Sequence, residues 1–141
     1  YMAKNNLGEW SLALFRAVLV FILAYHGYLK LFVPGGFKGT VEFFVAVGIP
    51  IAKYSALAVS VAEFAGGLFL ILGILTRLTT LALIFQMLVA LFAVHIKKGL
   101  LVSEGGYEFV LIILAALVVL LANGAGSLSL GKMIFKNKWM H

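Results

Sequence analysis

Cysteine is absent from the 141 residues, which excludes disulfides, thiol redox chemistry and cysteine-ligated metals. Charge is scarce as well: Asp, Glu, Lys and Arg make up 11% of the chain, against about 25% in soluble domains. Proline occurs only at Pro34 and Pro50, so few positions force a helix to stop. Acidic residues are the scarcest charged class, five against 11 basic ones, for a net charge of +6. In a soluble protein that excess would suggest nucleic acid. Here the cations flank apolar runs, where lipid phosphates are the natural counter-ions, and no nucleic-acid partner is expected. What remains is apolar: 64% of residues are hydrophobic and the mean hydropathy is +1.14. That is a membrane-protein composition, with the lipid bilayer as the first partner. The first apolar run is too long for the apolar core of a leader, so no cleavable signal peptide is expected.

Periodicity and breakers divide the chain into an all-α, four-span transmembrane bundle forming a single domain over residues 1–141. Spans are expected at about 11–32, 52–75, 78–95 and 108–122. Trp10 stands where an interfacial anchor belongs. Val33-Pro34-Gly35-Gly36 ends the first span, and residues 37–49 are apolar but too short to cross, so they read as a short interfacial helix. The second span carries Glu63 near its midpoint, followed by Gly66-Gly67. Ala58, Ala62 and Gly66 repeat at a four-residue interval, the small-residue spacing that lets membrane helices approach closely. In the third span Ala82, Gln86, Ala90 and Ala93 form a small and polar face. Lys132, Lys136, Lys138 and Trp139 resemble a surface anchor. With four spans both termini share one side. That side collects Lys4, Arg16, Arg77, Lys132, Lys136 and Lys138, and the other Lys30, Lys38, Lys53, Lys97 and Lys98. The slight excess favours cytoplasmic termini in a cell membrane.

A carboxylate at mid-membrane depth costs roughly 2.5–3.5 kcal/mol on insertion scales. Glu63 must therefore face protein, water or a partner, and is the candidate proton-exchanging group. In the first span Arg16 and Lys30 lie on one face, with His26 about 40° from Lys30. Flush antiparallel spans would gather His26, Lys30, His95, Glu104 and Glu108 at one interface and Arg16 and Arg77 at the other, with Glu63 and Gln86 between them. His26, Lys30, Glu63, Gln86, His95 and Glu108 are the candidate ligand-binding residues, with Arg16 and Arg77 as charge partners. Which of Arg16, Arg77 and Lys30 neutralises Glu63 stays open. Glu108 also has a structural explanation, in the first turn of a helix. His95 falls about 180° from Gln86 on an ideal helix, so the two share a site only if that helix end unwinds. A haem between two histidines needs both rings at one level and opposed, which nothing in the spacing provides. No metal is expected, since no close ligand motif such as HExxH occurs. A quinone is the ligand that fits: His26 and Lys30 would hydrogen-bond its oxygens, while Glu63 or Glu108 exchanges protons. Equally, the polar network could only set helix register.

The order of these features resembles the DoxX/DoxD-like family of integral membrane proteins. The matching pieces are Arg16, HGYLKL at His26 to Leu31, GIP at Gly48 to Pro50, AEFAGGLFLILGILTRL at Ala62 to Leu78, His95, and GAGSLSL at Gly124 to Leu130. The resemblance covers residues 12–131. It implies a four-span bundle of bacterial or archaeal cytoplasmic membranes. It also implies association with redox systems: DoxD-type members are subunits of a thiosulfate:quinone oxidoreductase, and DoxX members are linked to membrane oxidoreductase complexes. Eukaryotic relatives act as receptors or assembly factors. The first expectation is therefore a redox-associated membrane subunit that binds a quinone-like lipophilic ligand and assists electron and proton transfer, an oxidoreductase subunit rather than a whole enzyme. Its partner would be another redox subunit. The second is a non-catalytic adaptor or assembly factor, in which the small-residue stripe binds a partner or another copy.

Overall fold

The computed structural model describes residues 6–126 and 129–134, apart from the side chains of Asn6 and Lys132, and all regular structure among them is helical. The helices are α1 (Asn6–Phe32), α2 (Gly36–Ala46), α3 (Ala52–Leu72), α4 (Thr76–Ala90), α5 (Glu108–Asn123) and the short α6 (Leu130–Ile134). α4 continues through a wide π-type turn, Leu91–His95, and a tight turn, Ile96–Lys98. Among the described residues three helical stretches are long and apolar enough to cross a membrane: Leu7–Phe32, Ala52–Leu72 and Thr76–Lys98. α5 is as apolar but has 16 residues, about 24 Å of helix against a hydrocarbon core of about 30 Å. The protein is an all-α membrane protein in which three of the described helices are long and apolar enough to span and α5 is a shorter apolar helix. The expected surface anchor at Lys136, Lys138 and Trp139 lies outside the described residues.

The breaks follow from local chemistry. Pro34 lacks a donor and Gly35 takes a left-handed φ of 80°, which ends α1 and starts α2. At the end of α3, Gly73 adopts φ 67° while its own N–H and that of Ile74 return to the carbonyls of Leu70 and Phe69. That closure satisfies two carbonyls the helix would otherwise leave open. α2 is shorter than expected, stopping at Ala46, and carries an exposed Lys38–Glu42 pair at 3.8 Å.

Two glycines set the packing of α3. A Cβ on Gly67 would stand 2.7 Å from the Ala24 Cβ of α1, and one on Gly66 would stand 2.9 Å from the Thr79 Cγ2 of α4. The pair therefore serves two neighbours at once, one glycine each. From the α1 side, Gly27 lies directly on the Phe64 backbone. Opposing Gly27 with Phe64 and Ala24 with Gly67 gives an antiparallel register in which Phe32 lies near the level of Val59. The first seven residues of α3, about 10 Å, run past the end of α1, and α2 packs against both helices.

The buried line of α3 is Ala56, Ser60, Glu63, Gly67 and Leu70. The expected Ala58–Ala62–Gly66 stripe is thereby corrected: Ala58 is exposed and Ala62 half-buried. Desolvating Glu63 is tolerable only inside the bundle, so the helix turns that side inward and leaves the alanines at its α4-facing edge. α4 differs from expectation in the same way. Its buried line is Thr76, Thr80, Leu83 and Met87, with Gln86 at the edge and Ala82 exposed. Ser60 and Thr80 donate their hydroxyls to the carbonyls four residues back, at 2.7 and 2.6 Å, so neither needs an interhelical partner. Around them Leu19, Val20 and Leu23 of α1, Leu70, Leu83, and Ile113, Leu117 and Leu120 of α5 form one core. The outer face of α1 carries an exposed aromatic ladder, Phe21, Tyr25, Tyr28 and Phe32.

The chain after α5 explains how a short helix fits. Gly124 and Gly126 take positive φ values of 69° and 78° and fold the backbone back, burying Ala125 beside Gly73. Arg16, only 6% exposed, donates from its guanidinium to the Ala125 carbonyl. Non-helical backbone beside a spanning bundle needs such a donor. Arg16→Met should lower the unfolding free energy in detergent micelles by about 1–2 kcal/mol, the cost of leaving a buried acceptor unmet. An unchanged value would show that the carbonyl finds another donor.

Candidate functional site

Glu63 is the twelfth of the 21 residues of α3, at the middle of a helix about 31 Å long. It is 4% exposed. Its Oε2 accepts a hydrogen bond from Lys30 Nζ of α1 at 2.6 Å, and its Oε1 accepts from Gln86 Nε2 of α4. The register described above makes this triad possible. Because α1 stops short of the far end of α3, Lys30 lies beside the middle of α3. Gly67 then lets α1 close in one turn below Glu63, and Gly66 does the same for α4. The Lys30 side chain keeps 24% of its exposure. The buried Gln86 Oε1 has no hydrogen-bond partner among the described residues.

The remaining candidates lie elsewhere. His26 is exposed, its ring 6.3 Å from that of Phe109. His95, in the π-type turn, bonds through Nδ1 to the Gly105 carbonyl at 2.6 Å. The wide turn does change the pitch of α4, but it sends His95 to the connecting loop rather than to Gln86. Glu108 accepts the Val102 backbone N–H at 2.5 Å, and Glu104 is exposed in the same loop. His95 and Glu108 thus clasp the 99–107 connection from its two ends. Arg16 serves Ala125, and Arg77 stands half-buried in the first turn of α4. Of the six candidate ligand residues the structure gathers Lys30, Glu63 and Gln86. The two histidines are held in different surroundings, which does not suit a haem between them. Among the described residues no three His, Cys, Asp or Glu side chains converge as metal ligands would.

The triad is a polar island in an apolar bundle. Its carboxylate is held by an ammonium on one side and an amide on the other. Lys30 retains N–H groups beyond the one given to Glu63, and Gln86 retains an acceptor, so the island can offer both kinds of hydrogen bond to a polar head group. Two surface grooves lie away from it. One, about 410 Å³, runs between α1 and α5 beside Leu12, Phe15 and Val119. The other, about 450 Å³, lies on the outside of α4 beside Leu88 and Phe92.

Comparison with known proteins supplies the family. Over 134 residues the chain is 27% identical to the Bacillus subtilis (strain 168) protein named "Putative oxidoreductase CatD", covering 95% of this chain and 94% of that one. A Haemophilus influenzae protein, named only as uncharacterized, is 40% identical over 67 residues, 48% of this chain and 44% of its own. No solved structure matches. The DoxX family model matches residues 11–96, a stretch that runs from the start of the first span through Lys30, Glu63 and Gln86 to the end of the third. The chain belongs to the DoxX family.

Proposed function

We propose that this protein is a small integral subunit of a redox-associated membrane complex, and that it binds a quinone-type lipophilic ligand at the Lys30–Glu63–Gln86 triad. The observation that carries the reading is a mid-depth carboxylate held by two polar side chains that both have hydrogen-bonding capacity to spare. The Bacillus relative, matched over almost its full length, bears an oxidoreductase name, which supports the redox assignment. In this reading Lys30 donates to a ligand oxygen and Glu63 exchanges a proton with it, while electrons pass to or from a partner subunit. α5 makes the fourth crossing, with both termini at the cytoplasmic face of the cell membrane.

Organic extraction of the purified protein tests this directly. Wild type should carry a lipid-soluble quinone through purification, and Glu63→Gln, folded to the same helix content, should carry at least tenfold less. A wild-type extract free of quinone rejects the reading. The second reading, a non-catalytic adaptor or assembly factor, draws on the burial of Glu63 and the engagement of both its oxygens. It expects Glu63→Gln to alter stability or complex assembly and no ligand content.

A further inference from the structure

The triad is asymmetric in what it leaves open. Both Glu63 oxygens are engaged, one by Lys30 and one by the Gln86 amide nitrogen. The group left over is an acceptor, Gln86 Oε1, buried and without a donor. A quinone carries acceptors only and cannot satisfy it. A hydroquinone or other lipophilic phenol carries O–H groups and can. We infer that the site prefers the hydroxyl-bearing, reduced form of its ligand, with a ligand O–H donating to Gln86 Oε1. This rests on the ligand reading above and adds to it the oxidation state bound.

The surroundings of Gln86 are built of small side chains. Gly66 faces α4 and Gln86 faces α3, so both lie on the α3–α4 seam. At 3.6 residues per turn, Ala58 and Ala62 follow Gly66 along the outer border of that seam, and Ala82 borders it from α4 one turn from Gln86. Ala58 and Ala82 are exposed, and Ala62 and Gln86 half-buried. Small side chains thus flank Gln86 on both helices, where bulky ones would close the seam. The stripe of alanines that does not line the bundle interior instead borders the approach to Gln86.

The preference is also a matter of magnitude. Meeting a buried unsatisfied acceptor recovers about 1–3 kcal/mol, and every 1.4 kcal/mol is tenfold in affinity. The test is equilibrium binding of decylubiquinol and decylubiquinone to the full chain in nanodiscs under anaerobic conditions. Wild type should bind the quinol at least tenfold more tightly. Gln86→Met, close in volume and without the carboxamide, should bring the ratio to about one. Equal binding, or tighter binding of the quinone, by wild type overturns this inference and leaves the ligand reading standing. Binding of neither overturns both. A tenfold preference that survives in Gln86→Met also overturns it, since the donor then goes elsewhere. If Gln86→Met does not fold, Ala62→Leu replaces it: narrowing the seam should weaken quinol binding at least fivefold, and unchanged quinol binding overturns the approach along this seam.

Discussion

Lys30→Met should be among the most damaging single substitutions in this protein, lowering the unfolding free energy in detergent by about 3–5 kcal/mol. The loss has little to do with packing, because methionine keeps most of the aliphatic stem. It comes from leaving Glu63, 4% exposed and one turn from two helix contacts, with an amide and no cation. The carboxylate is then buried without its cation, and an uncompensated buried charge is costly. The double variant Lys30→Met with Glu63→Gln should recover most of the deficit, since a neutral amide has far less to lose on burial. Chemical unfolding of the two singles and the double gives the coupling directly. If Lys30→Met costs less than about 1 kcal/mol, the pair behaves as a surface ion pair, and Glu63 has a second cation within reach.

The identity of that cation marks the boundary of what the sequence discloses. Glu63 stands out at once, because a single carboxylate in an apolar run of 21 residues has no local excuse. The Gly66-Gly67 pair beside it reads correctly as a place of close approach, since only the absence of a Cβ permits backbones to meet there. Lys30 as the partner was not legible. Hydropathy locates each span along its own axis and says nothing of the offset between axes. Treating the spans as flush puts Lys30 at an interface with His26, His95 and Glu108. The structure slides α1 along α3 so that Gly27 meets Phe64, and Lys30 arrives beside the middle of α3. A hint was present, in that Val33-Pro34-Gly35-Gly36 follows Lys30 almost immediately and a second short helix had to be housed before α3. His95 escaped for another reason: a π-type turn changes the rotation per residue, and no spacing rule built on 3.6 anticipates it. Ala58 and Ala62 show the limit of small-residue spacing as a contact signal. The stripe is real, yet the larger desolvation cost of Glu63 decides which side of α3 turns inward.

Gly27 is where register and site become one quantity. A Cβ there would stand 2.8 Å from the Phe64 Cα and Cβ and closer still to the Phe64 backbone nitrogen. Backbone atoms of a hydrogen-bonded helix cannot step aside as a flexible side chain can, so α1 itself must move. Gly27→Val should therefore cost at least about 3 kcal/mol, the upper range for overpacking, even though an exposed helical glycine usually gains from acquiring a side chain. Gly8→Val in the same helix supplies the control. Nothing lies within 4 Å of a Cβ at that position, and its effect should stay within about 0.5 kcal/mol. The two contributions at Gly27 can be separated by combining it with Lys30→Met. Pushing α1 away from Phe64 also draws Lys30 from Glu63, one helical turn further along, so the substitution already spends much of the ion pair. The combined loss should fall short of the sum of the singles by about 1–3 kcal/mol, the usual coupling for residues sharing a contact. Strict additivity would mean that the collision is absorbed at Phe64 while the Lys30–Glu63 contact persists, and that the close approach of α1 and α3 is not what holds the triad together.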